Sequence, residues 1–172
     1  MGILDGNAKK EPLHHGEVYH IWSFSTLAKG AISFYQAYHN HAGDKDLRKL
    51  LDKLIDQAQD ESQRLDKVLI DAGIVPPPAM PNRPKVHFED IPPGARLSDM
   101  EIAADLGVDL SISLATCSTI MSISLRKDIS TLFSAFHIAR AALGAQVLEL
   151  TKDKGWLISP PLQLRESQTT IG

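Results

Sequence analysis

The apolar positions of the chain fall into four blocks with helical spacing. Ile21, Phe24, Ala28, Ala31, Tyr35 and Tyr38 follow one another at alternating steps of three and four residues, which puts them on one face of a helix over about 16–42. Gly43 ends that block, and Asp44 stands where a side-chain cap begins the next. Leu47, Leu51, Leu54, Ala58, Leu65 and Val68 then carry the rhythm over about 44–72, as far as Gly73, with Pro76 just beyond. Two such blocks joined by a short turn predict an antiparallel hairpin.

Over about 73–97 the pattern vanishes into a stretch rich in proline, from Pro76, Pro77 and Pro78 to Pro92 and Pro93, which cannot stay helical. Ser98-Asp99-Met100-Glu101 then reads as a capping box, in which serine and glutamate each satisfy a free backbone N–H at a helix start. The third block, about 98–125, carries Met100, Ala103, Gly107, Leu110, Leu114, Cys117 and Met121. The fourth, about 127–154, carries Ile129, Phe133, Phe136, Leu143, Val147 and Leu150 up to Gly155, with Pro160 and Pro161 after it.

The two hairpins align at an offset of 82 residues: Asp46 with Asp128, Leu47 with Ile129, Leu50 with Leu132, Gly73 with Gly155. Either a duplication or two hairpins obeying the same capping rules gives that match. A helix of about 25 residues spans about 37 Å, and an extended connection of more than about 20 residues can run back along all of it. The expectation is therefore an all-α, antiparallel four-helix bundle, built as one domain from two hairpins and a long Pro-rich crossover, the ferritin-like way of connecting a bundle.

Composition narrows the function. With 172 residues, 43% of them apolar, the chain is sized for a single core. Eighteen basic against 21 acidic residues, net −3, leave no electrostatic footprint for nucleic acid. The one cysteine, Cys117, excludes an internal disulfide and fits a reducing cytoplasm. Met1 to Glu11 lacks the apolar run of a secretory signal, and no stretch reaches the roughly 20 apolar residues of a membrane span, so a cytoplasmic, membrane-free protein is expected.

A ferritin-like bundle invites a search for carboxylate-bridged metals, which take a glutamate from each of two helices and Glu-x-x-His from each of the other two. Within the four helical blocks the only Glu-x-x-His is Glu17-Val18-Tyr19-His20, at the start of the first helix, where His14 and His15 lie close in sequence. It could hold a single Fe, Mn or Zn ion. Equally, a glutamate at a helix N-terminus is favoured by the helix dipole alone.

Glu61 sits in the inward series 54, 58, 61, 65, 68, where an unpaired carboxylate would be costly, so it needs a partner or must rotate to the surface. Hairpin levels bring Cys117 and His137 near its height, making a metal or ligand site of Glu61 and His137 one reading. A buried polar cluster, with Lys29 or Arg140 as the ion-pair partner, is another. Cys117 reads most simply as a small core residue. No catalytic residue can be assigned, and no resident cofactor is predicted.

The third helix carries a run of hydroxyls, Ser111, Ser113, Thr116, Ser118, Thr119, Ser122 and Ser124, which as small residues let helices approach closely. The aromatic residues of the first helix, Trp22, Phe24, Phe34, Tyr35 and Tyr38, cannot all face one core, which predicts a second apolar surface and a homodimer.

Gly16-Glu17-Val18 with Trp22-Ser23-Phe24, the run Asn40 to Leu47, Asp90-Ile91-Pro92, Ser98-Asp99 with Glu101-Ile102-Ala103, and Lys154-Gly155-Trp156 before Pro160-Pro161 together carry a family resemblance. Over nearly the whole chain, it resembles an uncharacterised ferritin-like family of Bacillus and its spore-forming relatives, whose members are sometimes labelled spore coat proteins. The resemblance implies a ferritin-like fold and a non-enzymatic structural or interaction role, with spore coat proteins as partners. The alternative is a metal-binding or redox protein with a non-standard site. Coat assembly proteins are often rich in cysteine or tyrosine, whereas this chain has one cysteine and three tyrosines.

Overall fold

The structure, a computed structural model, describes residues 11–161 and 163, so most of the N-terminal arm lies outside the described residues. Four helices form, α1 (His15–His41), α2 (Lys45–Asp71), α3 (Asp99–Ile123) and α4 (Lys127–Asp153), and no strand occurs among the described residues. α1 packs on α2 and α3 on α4 as hairpins, while α1 with α3 and α2 with α4 make the contacts between hairpins.

Local chemistry sets the helix ends. Asp44 accepts the backbone N–H groups of Asp46 and Leu47, and Ser98 with Glu101 forms a reciprocal capping box. α1 is capped by His14, whose Nδ1 accepts from the N–H groups of Gly16 and Glu17 while Glu17 accepts from the N–H of His14. α2 and α4 stop alike: Gly73 (φ 75°) and Gly155 (φ 69°) take the left-handed conformation, so the N–H of Ile74 reaches the carbonyl of Leu69 and that of Trp156 reaches Thr151. Gly43 is different. The chain leaves α1 through Ala42 in an extended conformation, and Gly43 donates its N–H to Asp99 instead of forming a left-handed cap.

The crossover runs down the outside of α1. Trp22 donates to the carbonyl of Val75, Lys29 to that of Pro77 and Asn40 to that of Pro84, while Arg83 bonds Ser33 and its N–H meets Gln36. The geometry closes: from Val75 to Pro84, extended chain at about 3.1 Å per residue covers about 28 Å, and α1 from Trp22 to Asn40 rises about 27 Å at about 1.5 Å per residue. Two short 3₁₀ turns, Phe88–Asp90 and Pro93–Ala95, bring the chain round to α3.

The core is two apolar clusters. One holds Tyr35, Leu47, Leu51, Leu54, Ile102, Leu106 and Leu110; the other holds Ile21, Phe24, Leu65, Leu69, Ile120, Phe133 and Phe136. Phe24, Phe133 and Phe136 interlock with ring centroids 5.2 to 6.2 Å apart. Ala58 ends the first cluster along α2 and Leu65 begins the second. Glu61 lies between them.

Candidate functional site

That middle layer is where the buried charge sits. Glu61, with no exposed side-chain surface, faces Arg140 on α4: Nε of Arg140 lies 3.0 and 3.1 Å from the two carboxylate oxygens and Nη2 lies 2.5 Å from Oε2. Gln57, one turn earlier, donates to Oε1 at 2.9 Å. The guanidinium carbon also stands 5.1 Å from the centre of the Phe24 ring. Burial works against the charge of Arg140, but its hydrogen bonds and attraction to Glu61 outweigh that and hold its pKa above the ordinary arginine value. This is a fork-to-fork pair with both partners satisfied.

The other residues expected near it divide. Cys117 is fully buried in the aromatic cluster, and burial pushes its thiol up to about 12, which keeps it protonated at neutral pH. Lys29 does not join Glu61. Its ammonium pairs with Asp66 at 2.6 Å and caps the carbonyl of Pro77, and Ser25 donates to the same aspartate at 2.7 Å. His137 is half-buried and has no hydrogen bond or ion pair with Glu61. At 100° per residue it lies about 60° around α4 from Arg140, beyond the inward stripe. The cluster of five thus resolves into a Glu61–Arg140 pair, a Lys29–Asp66–Ser25 group, and two residues outside both.

At the start of α1, Glu17 is fully buried, and both its oxygens hold backbone: Oε2 accepts from the N–H of His14 and Oε1 from the N–H of Arg126 at the head of α4, each at 3.0 Å. α4 has no side-chain cap of its own, so Glu17 serves one end of each hairpin. His20 is half-buried and packs edge-on to Tyr19. Among the described residues, no three His, Cys, Asp or Glu side chains converge as a metal site would require, and the two carboxylates that fit best by sequence, Glu61 and Glu17, have their oxygens bound to Arg140 and to backbone. The donor sets do not fit Fe, Mn or Zn.

Tyr35 and Tyr38 tie α1 to α3. Tyr35 donates to Asp109, and Tyr38 donates to Asp105 at 2.5 Å. Burial and then the neighbouring Asp109 raise the Tyr35 pKa, and burial with the Asp105 hydrogen bond pushes Tyr38 up to about 12. Both hydroxyls stay protonated as donors. No buried side-chain nitrogen or oxygen among the described residues lacks a partner.

The surfaces differ more than the interior does. α2 presents Lys49–Asp46, Arg64–Asp60 and Lys67–Asp71 pairs to solvent. α1 and α3 present Leu27, Phe34, Val108 and Ile112, each more than half exposed. Between α3 and α4 runs an apolar groove of about 520 Å³, lined by Met100, Gly107, Leu114, Gly144, Leu148 and Leu157 with others. Segments 93–123 and 127–153 each contain an 18-residue window apolar enough to cross a membrane by length and composition, a test that core helices of soluble bundles also pass; here α3 and α4 pack on each other.

The family described as "Protein of unknown function (DUF3231)" matches residues 1–168. The uncharacterized protein YvdQ of Bacillus subtilis (strain 168) is 45% identical over 166 residues, which cover 96% of this chain and 98% of that one. Among solved structures, the chain is similar to the crystal structure of a "putative spore coat protein" of Bacillus halodurans C-125, with a TM-score of 0.91 and 43% identity, covering 92% of this chain and 100% of the other.

Proposed function

We propose, from the premise that this chain belongs to the DUF3231 family of proteins of unknown function, that it is a non-enzymatic structural or interaction protein of a spore-forming bacterium, made in the cytoplasm and incorporated into the spore coat. One observation carries the first half of this reading. Among the described residues no buried side-chain nitrogen or oxygen lacks a partner, while large apolar side chains stand exposed on α1, α3 and α4. A catalytic or metal centre keeps an unsatisfied donor, acceptor or coordination position open to a substrate. The coat assignment is supported by the name of the similar Bacillus halodurans protein.

The test is a fluorescent fusion expressed from its own promoter in the sporulating host, with immunoblots of coat extracts. A ring around the forespore and recovery in the extract are expected. A diffuse signal with none in the extract sinks the coat role. Elemental analysis of protein purified without chelator or histidine tag is expected to find Fe, Mn and Zn far below one equivalent per chain. Stoichiometric metal lost on Glu61→Ala or Glu17→Ala would replace the structural reading with the metal-binding one.

A further inference from the structure

On the exposed face shared by α1 and α3, the two helices themselves supply no solvent-facing Lys or Arg. Between Val18 and His41 the only Lys, Arg, Asp or Glu is Lys29, which is buried against Asp66, and between Leu110 and Ile123 there is none. The face nevertheless exposes Leu27 (63%), Phe34 (59%) and Ile112 (60%). Its carboxylates, Asp105 and Asp109, lie toward one end and accept the tyrosine hydroxyls.

Gly30 adds an independent observation. It sits mid-helix between Leu27 and Phe34, one turn from each, and a Cβ there would meet nothing within 4 Å. No contact inside the chain needs a glycine, yet glycine weakens a helix interior. As at Gly107 and Gly144, the space is open; at Gly30 it forms a gap, a shallow hollow, between the exposed Leu27 and Phe34.

The hollow has a matching projection on the same chain. The Tyr35–Asp109 and Tyr38–Asp105 bonds fix the register of the antiparallel α1 and α3, which places Gly30 level with Leu114, about half a turn from Ile112. If a second copy lies face to face with its dyad parallel to the helices, α1 of each copy covers α3 of the other at the same height. Ile112 then lies about 3 Å along the axis from the level of the partner's Gly30, and Leu27 and Phe34 fall near the levels of Thr116 and Leu110. Two helices about 38 Å long, side by side and about 20 Å across, offer about 760 Å², close to the roughly 800 Å² per partner of a standard stable interface.

The geometry points to a second copy of this chain as the occupant of the α1/α3 face, in an isologous dimer that packs Ile112 of each copy over Gly30 of the other. Away from Asp105 and Asp109 the face gives a charged partner nothing to pair with, whereas a second copy brings apolar side chains at the same heights. This deepens the interaction role proposed above by naming one partner.

Sedimentation and light scattering of the purified full-length chain are expected to give twice 18.9 kDa. Ile112→Glu and, without added charge, Gly30→Leu each weaken association by about a hundredfold or more, with helicity and melting behaviour retained. Leu148→Glu, in the α3/α4 groove, leaves the dimer intact. A chain that stays at 18.9 kDa throughout dilution, a dimer that survives both α1/α3 substitutions, or one broken instead by Leu148→Glu overturns the assignment. Self-association is read on purified protein and coat incorporation in cells. A monomer recovered from spores would therefore sink only the dimer, and a dimer absent from spores only the coat role.

Discussion

The two hairpins repeat the same pattern of helix ends with different side chains. α2 and α4 begin and end 82 residues apart, at Lys45 and Lys127 and at Asp71 and Asp153, and their glycine stops, Gly73 and Gly155, keep the same offset. Even a long-range clasp is repeated. Glu17 takes the N–H of Arg126, and its counterpart Asp99 takes those of Gly43 and Asp44. Yet Glu61 corresponds to Leu143, Arg140 to Ala58, Tyr35 to Cys117, and the hollow at Gly30 to Ile112. Caps and turns are fixed by what a helix end requires, whereas the positions that diverge decide what the bundle holds and touches.

The sharpest divergence is the ion pair between the two apolar clusters, and breaking it should give the largest effect. Arg140→Ala strands the Glu61 carboxylate without its cation in a buried site and is expected to cost about 3–5 kcal/mol in urea unfolding. Replacing both partners, as Glu61→Leu with Arg140→Met, should cost far less, because the desolvation of both charges disappears along with their attraction. If the double variant is as unstable as the single, the layer is held by shape and not by charge.

Why some of this was legible in the sequence and some not follows from range. The helices could be read because periodicity and caps act over a few residues, as at Asp44 and at Ser98 with Glu101. The inward turn of Glu61 follows from its place in the α2 series. Which cation meets it depends on rotation about four helix axes, which periodicity leaves free; the same freedom sent Lys29 to Asp66 and left His137 outside the pair. Glu17 looked like half of a metal motif because its second partner, the Arg126 N–H, lies 109 residues away. His14 as a cap was missed because histidine seldom fills that place. The one signal available was Glu17 three residues on, the second half of a capping box.

The repeated clasp gives the next largest contrast. Glu17 is fully buried and Asp99 is half-buried, so removing them is not equivalent. Glu17→Ala leaves the N–H groups of His14 and Arg126 without an acceptor in a dry site and should cost about 2–4 kcal/mol. Asp99→Ala leaves those of Gly43 and Asp44 where water can reach them, at about 1 kcal/mol. Equal losses by thermal melting would mean that the two ends of the bundle are solvated alike. The stops, by contrast, should behave as true equivalents. Gly73→Ala and Gly155→Ala both force a side chain into the left-handed region and should each cost about 1 kcal/mol.

The smallest effect is also the one whose sign separates fold from association. Gly30 is helical with nothing near its missing Cβ, so Gly30→Ala removes backbone freedom from the unfolded chain and adds no clash within the folded one. Measured in the Ile112→Glu background, where the α1/α3 face is kept apart, it should stabilise the fold by about 0.5–1 kcal/mol. In the otherwise unaltered chain the new methyl partly fills the hollow that Ile112 of the second copy occupies, so association should weaken while the fold itself strengthens. A glycine kept for the folding of α1 would give a loss in both backgrounds, and one kept for nothing would give the same gain in both. Only a glycine kept for a neighbour's side chain gives opposite signs, because the space it leaves open lies outside the chain that carries it.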